Sequence, residues 1–118
     1  MLIIDDFDGI WLWRDTVDMR KQIDGLAALV ESEMEMSPFE RNLYLFCSRN
    51  RDRMKILYWR GTGYALWMTR LEKEKFHWPR KDHEEKLTIT AKELRFLLSG
   101  LDIRRIQPHQ ELDFQSLS

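Results

Sequence analysis

Between residues 43 and 79 short apolar runs alternate with polar turns, and this rhythm restricts the fold more than any other feature of the chain. Residues 43–48, 54–59 and 64–71 are of strand length and rich in apolar and aromatic side chains, with 75–78 as a short fourth candidate before Pro79. Arg49-Asn50-Arg51-Asp52-Arg53 and Arg60-Gly61-Thr62-Gly63 read as turns between them. Turn signals at intervals of about 8–12 residues predict an antiparallel meander. In 54–59 both alternating sets, Lys55-Leu57-Trp59 and Met54-Ile56-Tyr58, are largely apolar. That strand is therefore expected to be central and covered on both faces.

The flanks add helices. Ile10-Trp11-Leu12-Trp13-Arg14 reads as a strand with Trp11 and Trp13 on one face. Asp15 or Thr16 is then expected to cap a helix running to about Glu33, whose apolar stripe is Met19, Ile23, Leu26, Val30 and Met34. Ser37-Pro38 ends it. Residues 80–86 read as a charged, mobile loop. Thr90-Ala91-Lys92-Glu93 is a capping box, a hydroxyl at the N-cap and a carboxylate three residues on. It opens a second helix with Leu94, Leu97, Leu98 and Leu101 on one face and Gly100 as its stop. At 118 residues the chain suffices for one domain. The expected fold class is α+β: a single domain over residues 1–106, with an antiparallel sheet of four or five strands packed against two helices, and a loosely ordered tail over 107–118.

The net charge of −1 would by itself argue against a nucleic-acid binder, but the charge is uneven. Residues 1–40 carry 3 bases and 10 acids, a balance of −7. Residues 41–80 carry 10 bases and 3 acids, a balance of +7, and residues 81–118 come to −1. Such asymmetry points to an anionic partner for the middle segment, unless the fold sets the acidic third against it. Arg49, Arg51 and Arg53 alternate across one turn; Lys55, Arg60, Arg70, Lys73 and Lys75 follow, with Tyr58, Trp59, Tyr64 and Trp67 interleaved. Lysine and arginine neutralise phosphates and aromatic rings stack on bases, whereas buried aromatics and a solvated hairpin rim are the structural alternative.

Catalytic and metal-binding patterns are weak. Asp5, Asp6 and Asp8 are close in sequence, but strand-like alternation sends them to different sides. His77, His83 and His109 are far apart, and none forms a short ligand pair with Cys47. A single cysteine excludes an internal disulfide and a multi-cysteine zinc site and suits a reducing cytoplasm. Cys47 itself, inside an apolar run, reads as a small buried hydrophobe. Gly61-Thr62-Gly63 lacks the Gly-Lys-Ser/Thr of a phosphate loop. No catalytic residue, metal or cofactor is expected. No apolar run approaches the roughly 20 residues of a membrane span, and Met1-Leu2-Ile3-Ile4-Asp5-Asp6 turns acidic too soon for a signal peptide.

Asp18-Met19-Arg20-Lys21 with Ile23-Asp24-Gly25-Leu26-Ala27 resembles the opening motif of the TnpB-type accessory proteins of the insertion-sequence-sixty-six family of bacterial transposable elements. So does the order Lys55-Ile56-Leu57-Tyr58-Trp59, Gly61, Gly63, Leu66-Trp67, Arg70-Leu71-Glu72 and Phe76-His77-Trp78-Pro79, followed by Leu94, Leu97-Leu98 and Gly100-Leu101-Asp102. Glu74 stands where this family often has a glycine. The resemblance covers about residues 10–103. It implies a non-catalytic accessory factor of transposition, working beside a larger transposase that carries the acidic catalytic residues. The expected partners are that transposase and element-end DNA, with a homo-oligomer compatible and no membrane. Two modes of action follow. In one, the basic hairpin with Arg49, Arg51, Arg53, Lys55, Arg60, Arg70, Lys73 and Lys75 grips DNA. In the other, the protein is purely an interaction module that docks on the transposase.

Overall fold

Five strands and two α-helices follow one another in a computed structural model that describes residues 2–79 and 84–100. After a short 3-10 turn at Ile4–Asp6 come β1 (Gly9–Val17), α1 (Ile23–Ser32), β2 (Asn42–Ser48), β3 (Arg53–Trp59), β4 (Tyr64–Arg70), β5 (Lys86–Thr88) and α2 (Ala91–Leu98). The strands form one sheet in the order β4-β3-β2-β1-β5. Three of its pairings are antiparallel, and β1 lies parallel to β2. A parallel neighbour demands a crossover. Residues 18–41, with α1 among them, supply it. The sheet is therefore mixed rather than wholly antiparallel, within the expected α+β class.

Each face of the sheet carries one helix. On one side Ile10, Leu12, Leu43, Leu45, Met54 and Ile56 pack under Leu94 and Leu97 of α2, joined by Phe76 and Trp78. On the other, Trp13, Val17, Tyr44, Phe46 and Leu57 pack under Leu26, Ala27 and Val30 of α1 and under Met34. Trp11 and Trp13 share this second face, as their spacing predicts. The fully covered strand is β2, in which all seven residues are buried. β3, expected to hold that place, lies one position nearer the edge; its Arg53 is exposed and its Tyr58 and Trp59 are half-buried.

Three local expectations are corrected. The first helix begins at Ile23, not at Asp15 or Thr16, because β1 continues to Val17. β-Branched Thr16 and Val17 pair with Cys47 and Ser48 after a register shift in β1. Asp18 then closes a turn by accepting the Arg20 N–H at 2.9 Å. Met19, expected in the helix, lies in this turn, while Ile23, Leu26, Val30 and Met34 face the core as the stripe requires. Residues 75–78 are not a strand. Phe76 and Trp78 alternate like strand residues, but the Phe76 N–H bonds Arg51 O, and the Trp78 N–H turns back to Phe76 O, leaving no ladder. The fifth strand is instead β5, on the outer edge of β1. Residues 80–83, most of the expected loop, and 101–118, with the expected tail, lie outside the described residues.

The capping box forms as read. Thr90 Oγ1 accepts the Glu93 N–H at 3.1 Å, and Glu93 Oε1 accepts the Thr90 N–H at 2.8 Å. Gly100, at φ 83°, turns the chain after α2. Thr90→Ala is expected to cost about 1 kcal/mol of unfolding free energy, measured by urea titration.

Candidate nucleic-acid interface

Strand direction decides which charges meet. The parallel pair ends at Val17 and Ser48, β3 starts at Arg53 and β4 ends at Arg70, and these are register partners: Val17 beside Ser48, Arg53 opposite Arg70. One end of the sheet thus collects three connecting segments. The β1–α1 loop brings Arg20 and Lys21, the β2–β3 turn brings Arg49, Arg51 and Arg53, and the chain leaving β4 brings Arg70, Lys73 and Lys75. All eight are exposed. Asp18, Asp52, Glu72 and Glu74 share this end, with Asp15 two residues before Val17 and Asp24 in the first turn of α1 after Lys21.

The turn that carries the arginines is held firmly. Arg51 adopts the left-handed conformation at φ 59° and donates its N–H to Ser48 O at 2.9 Å. Ser48 Oγ donates to Asp52 Oδ1 and accepts the Arg53 N–H, each at 3.1 Å. The segment after β4 straps across the same turn. Leu71 N–H bonds Asp52 O at 2.8 Å, Phe76 N–H bonds Arg51 O at 2.6 Å and Lys75 Nζ donates to Asn50 O at 2.7 Å. The strap is anchored by the buried Phe76, Trp78 and Pro79; the Trp78 indole donates to Trp13 O at 2.9 Å. Glu74 keeps a negative φ: among the described non-glycine residues only Glu35 and Arg51 do not.

Two of the basic groups are already paired. Arg20 meets Asp18 at 2.6 Å and Arg70 meets Glu72 at 2.9 Å. The Arg20 guanidinium, with the Arg20 backbone N–H, holds the Asp18 carboxyl well below the usual carboxylate range, and Arg49 adds a smaller pull. This contribution to stability is complete above the ordinary carboxylate pKa and is lost as pH falls through the lowered one. Arg53 and Arg70 face each other directly across two strands, an arrangement that is locally unfavourable for like charges.

Two residues expected in the grip stand elsewhere. Lys55 is only 4% exposed. Its Nζ donates to Met19 O at 2.8 Å and Lys21 O at 2.7 Å, fastening the β1–α1 loop, and burial pulls its pKa below the usual lysine value. Arg60 lies at the far end of the seven-residue β3, about 23 Å from Arg53 at the usual strand rise. There it opens onto a cleft of about 840 Å³ shared with Phe7, Arg41 and Tyr58. Arg20 and Lys21, by contrast, join the basic end although only the family motif had singled them out. Segment arithmetic counted them in the acidic third. Of the other motif residues, Asp24 and Gly25 form the first turn of α1, Trp59 ends β3 and Gly63 closes the β3–β4 turn by accepting the Arg60 N–H at 2.8 Å.

Six other acids lie away from this end. Asp5, Asp6 and Asp8 precede β1, while Glu33, Glu35 and Glu40 lie between the end of α1 and the start of β2. They sit toward the opposite end of the sheet, so these acids do not cover the basic residues. Among the described residues no three His, Cys, Asp or Glu side chains gather to hold a metal ion, and no helix is long and apolar enough to cross a membrane. Cys47 is fully buried and burial pushes its thiol up to about 12. Burial thus suppresses the thiolate that an alkylating reagent needs. Iodoacetamide at pH 8 is expected to leave the native protein unlabelled and to label it promptly in urea, read by mass spectrometry.

The family model described as IS66 Orf2 like protein matches residues 8–108. The uncharacterized protein y4hO of Sinorhizobium fredii (strain NBRC 101917 / NGR234) is 31% identical over 98 residues, 83% of this chain and 84% of that protein. The uncharacterized protein y4jC of the same organism is 33% identical over 91 residues, 77% of each chain. No solved structure matches. The chain belongs to the IS66 Orf2-like family, whose role is that of an accessory to transposition.

Proposed function

We propose that the protein is a non-catalytic, cytoplasmic accessory factor that holds the phosphate backbone of element-end DNA on the basic end of its sheet, in the company of the element's transposase. The observation that supports this most is the gathering of exposed Arg49, Arg51, Arg53 and Lys73 on connecting segments at one end of the sheet. Arg53 lies opposite Arg70 in register, and Arg70 is already paired with Glu72, so Arg53 is the member of that pair offered to a phosphate. Arg49 and Arg51 extend the contact on a turn whose backbone is already fixed, and Lys73 extends it from the segment strapped across that turn, so little ordering is required on binding. Contact with phosphates positions the protein and requires no reading of bases.

If Arg49, Arg51, Arg53, Arg70 and Lys73 neutralise about five phosphates, log K falls with log salt at a slope near −4 to −5 on duplex DNA. Fluorescence anisotropy of an element-end duplex at several salt concentrations measures it. Absence of binding at low salt contradicts the proposal. A second reading, docking on the transposase without DNA contact, is favoured by the Asp18–Arg20 and Arg70–Glu72 pairs, which neutralise two of the arginines. Co-purification with the transposase that survives nuclease treatment supports that reading; co-purification that vanishes with the DNA refutes it.

A further inference from the structure

At the end of the sheet opposite the basic residues three rings form a partly exposed cluster. Phe39 meets Trp59 edge-on at 5.0 Å and stacks on Tyr64 at 5.9 Å, while Trp59 and Tyr64 pack edge to face at 4.9 Å. Phe39 is 55% exposed, unusual for a phenylalanine. Its loop is held by Tyr44, whose hydroxyl donates to Ser37 O at 2.6 Å, so the ring is presented on fixed backbone. Aromatic residues clustered at a surface are the side chains that anchor protein interfaces.

Charge selects the occupant. From residue 22 to residue 40 there is no lysine or arginine, and Asp24, Glu31, Glu33, Glu35 and Glu40 are all exposed. Burial raises the Tyr64 pKa, and Asp24 and Glu31 lie near enough to raise it further. Arg41 is engaged with Asp6 O and pairs with the Asp8 carboxylate at 3.9 Å, and Arg60 opens onto the neighbouring cleft. A phosphate backbone is repelled by such a rim, whereas a lysine or arginine gains twice: from the carboxylates and from the ring faces. We infer that the Phe39–Trp59–Tyr64 cluster docks a cationic segment of a protein partner, with a lysine or arginine seated on the rings. This stands independently of the DNA reading, because it uses the other end of the molecule.

Three fluorescein-labelled 12-residue peptides of equal apolar content test it, carrying four arginines, four glutamines or four glutamates at the same positions. By anisotropy at 50 mM salt the arginine peptide is expected to bind and the other two not. Phe39→Ala, at an exposed position, is expected to weaken binding about tenfold. The double variant Glu31→Lys/Glu40→Lys, equally exposed, weakens it at least as much. The Arg49/Arg51/Arg53→Ala variant binds the peptide unchanged even if its DNA binding is lost or never existed. The inference is overturned if the wild type ignores the arginine peptide, if the glutamine peptide binds as well, or if Phe39→Ala changes affinity less than twofold. It is also overturned if Phe39→Ala weakens duplex DNA binding as much as the arginine variant does, since DNA would then occupy the aromatic face.

Discussion

Replacing Arg49, Arg51 and Arg53 together by alanine is expected to lower affinity for duplex DNA by about 10²- to 10³-fold at 0.1 M salt. Each phosphate contact contributes about 0.9 to the slope of log K against log salt, so losing three flattens the slope by about 2.7. At 0.1 M this corresponds to the stated loss. The three side chains are exposed and leave the backbone bonds of the turn untouched, so folding is expected to survive. Alanine at Arg51 does carry a small conformational cost, because φ there is 59°; Arg51→Gly in its place removes that complication. Anisotropy titrations at two salt concentrations measure both the loss and the slope. An unchanged slope would mean that these arginines do not meet phosphate.

The largest effect on stability is expected from Lys55→Ala. Lys55 reads as one more base of a basic segment, yet its ammonium ties together Met19 O and Lys21 O beneath the β1–α1 loop. Removing it takes two charge-assisted hydrogen bonds from the carbonyls of half-buried Met19 and exposed Lys21, and the packing of four methylenes between β3 and that loop. The expected loss is about 3 kcal/mol by urea denaturation. Lys55→Met, which keeps most of the packing, is expected to lose less than the alanine variant. In both, the DNA affinity of the folded protein falls only as far as the displaced Arg20 and Lys21 contribute to it. A variant of full stability and sharply reduced DNA affinity would return Lys55 to the phosphate-binding set.

What the sequence made legible was mostly local. The Thr90–Glu93 capping box, the shared face of Trp11 and Trp13 and the leucines of α2 follow from spacing alone, because the groups that interact are three or four residues apart, or alternate along one strand. Pairing between distant segments is a different matter. Nothing in residues 10–14 and 43–48 says that they lie parallel, since the hydrogen bonds that decide it join backbone to backbone whatever the side chains. The start of α1 was hidden for a related reason: Met19 continues the helical stripe numerically, while the register of Thr16 and Val17 against β2 is what keeps that stretch extended. Lys55 was misplaced because a lysine is ordinarily exposed, and its two carbonyl partners come from a loop 34 and 36 residues away. Arg60 was within reach of simple arithmetic: seven extended residues carry it to the other end of a strand. Charge counted by segment concealed Arg20 and Lys21, whereas charge counted by strand end reveals them.

The central claim is that the fold separates the charges and that DNA meets only the basic end. Titrating ¹⁵N-labelled protein with duplex DNA and following amide shifts tests it residue by residue. The predicted result is that the shifts concentrate at residues 18–21, 49–53 and 70–75, while Phe39, Trp59 and Tyr64 stay still. Shifts concentrated at the aromatic cluster and the Arg41–Arg60 cleft, with the basic end unmoved, would contradict it.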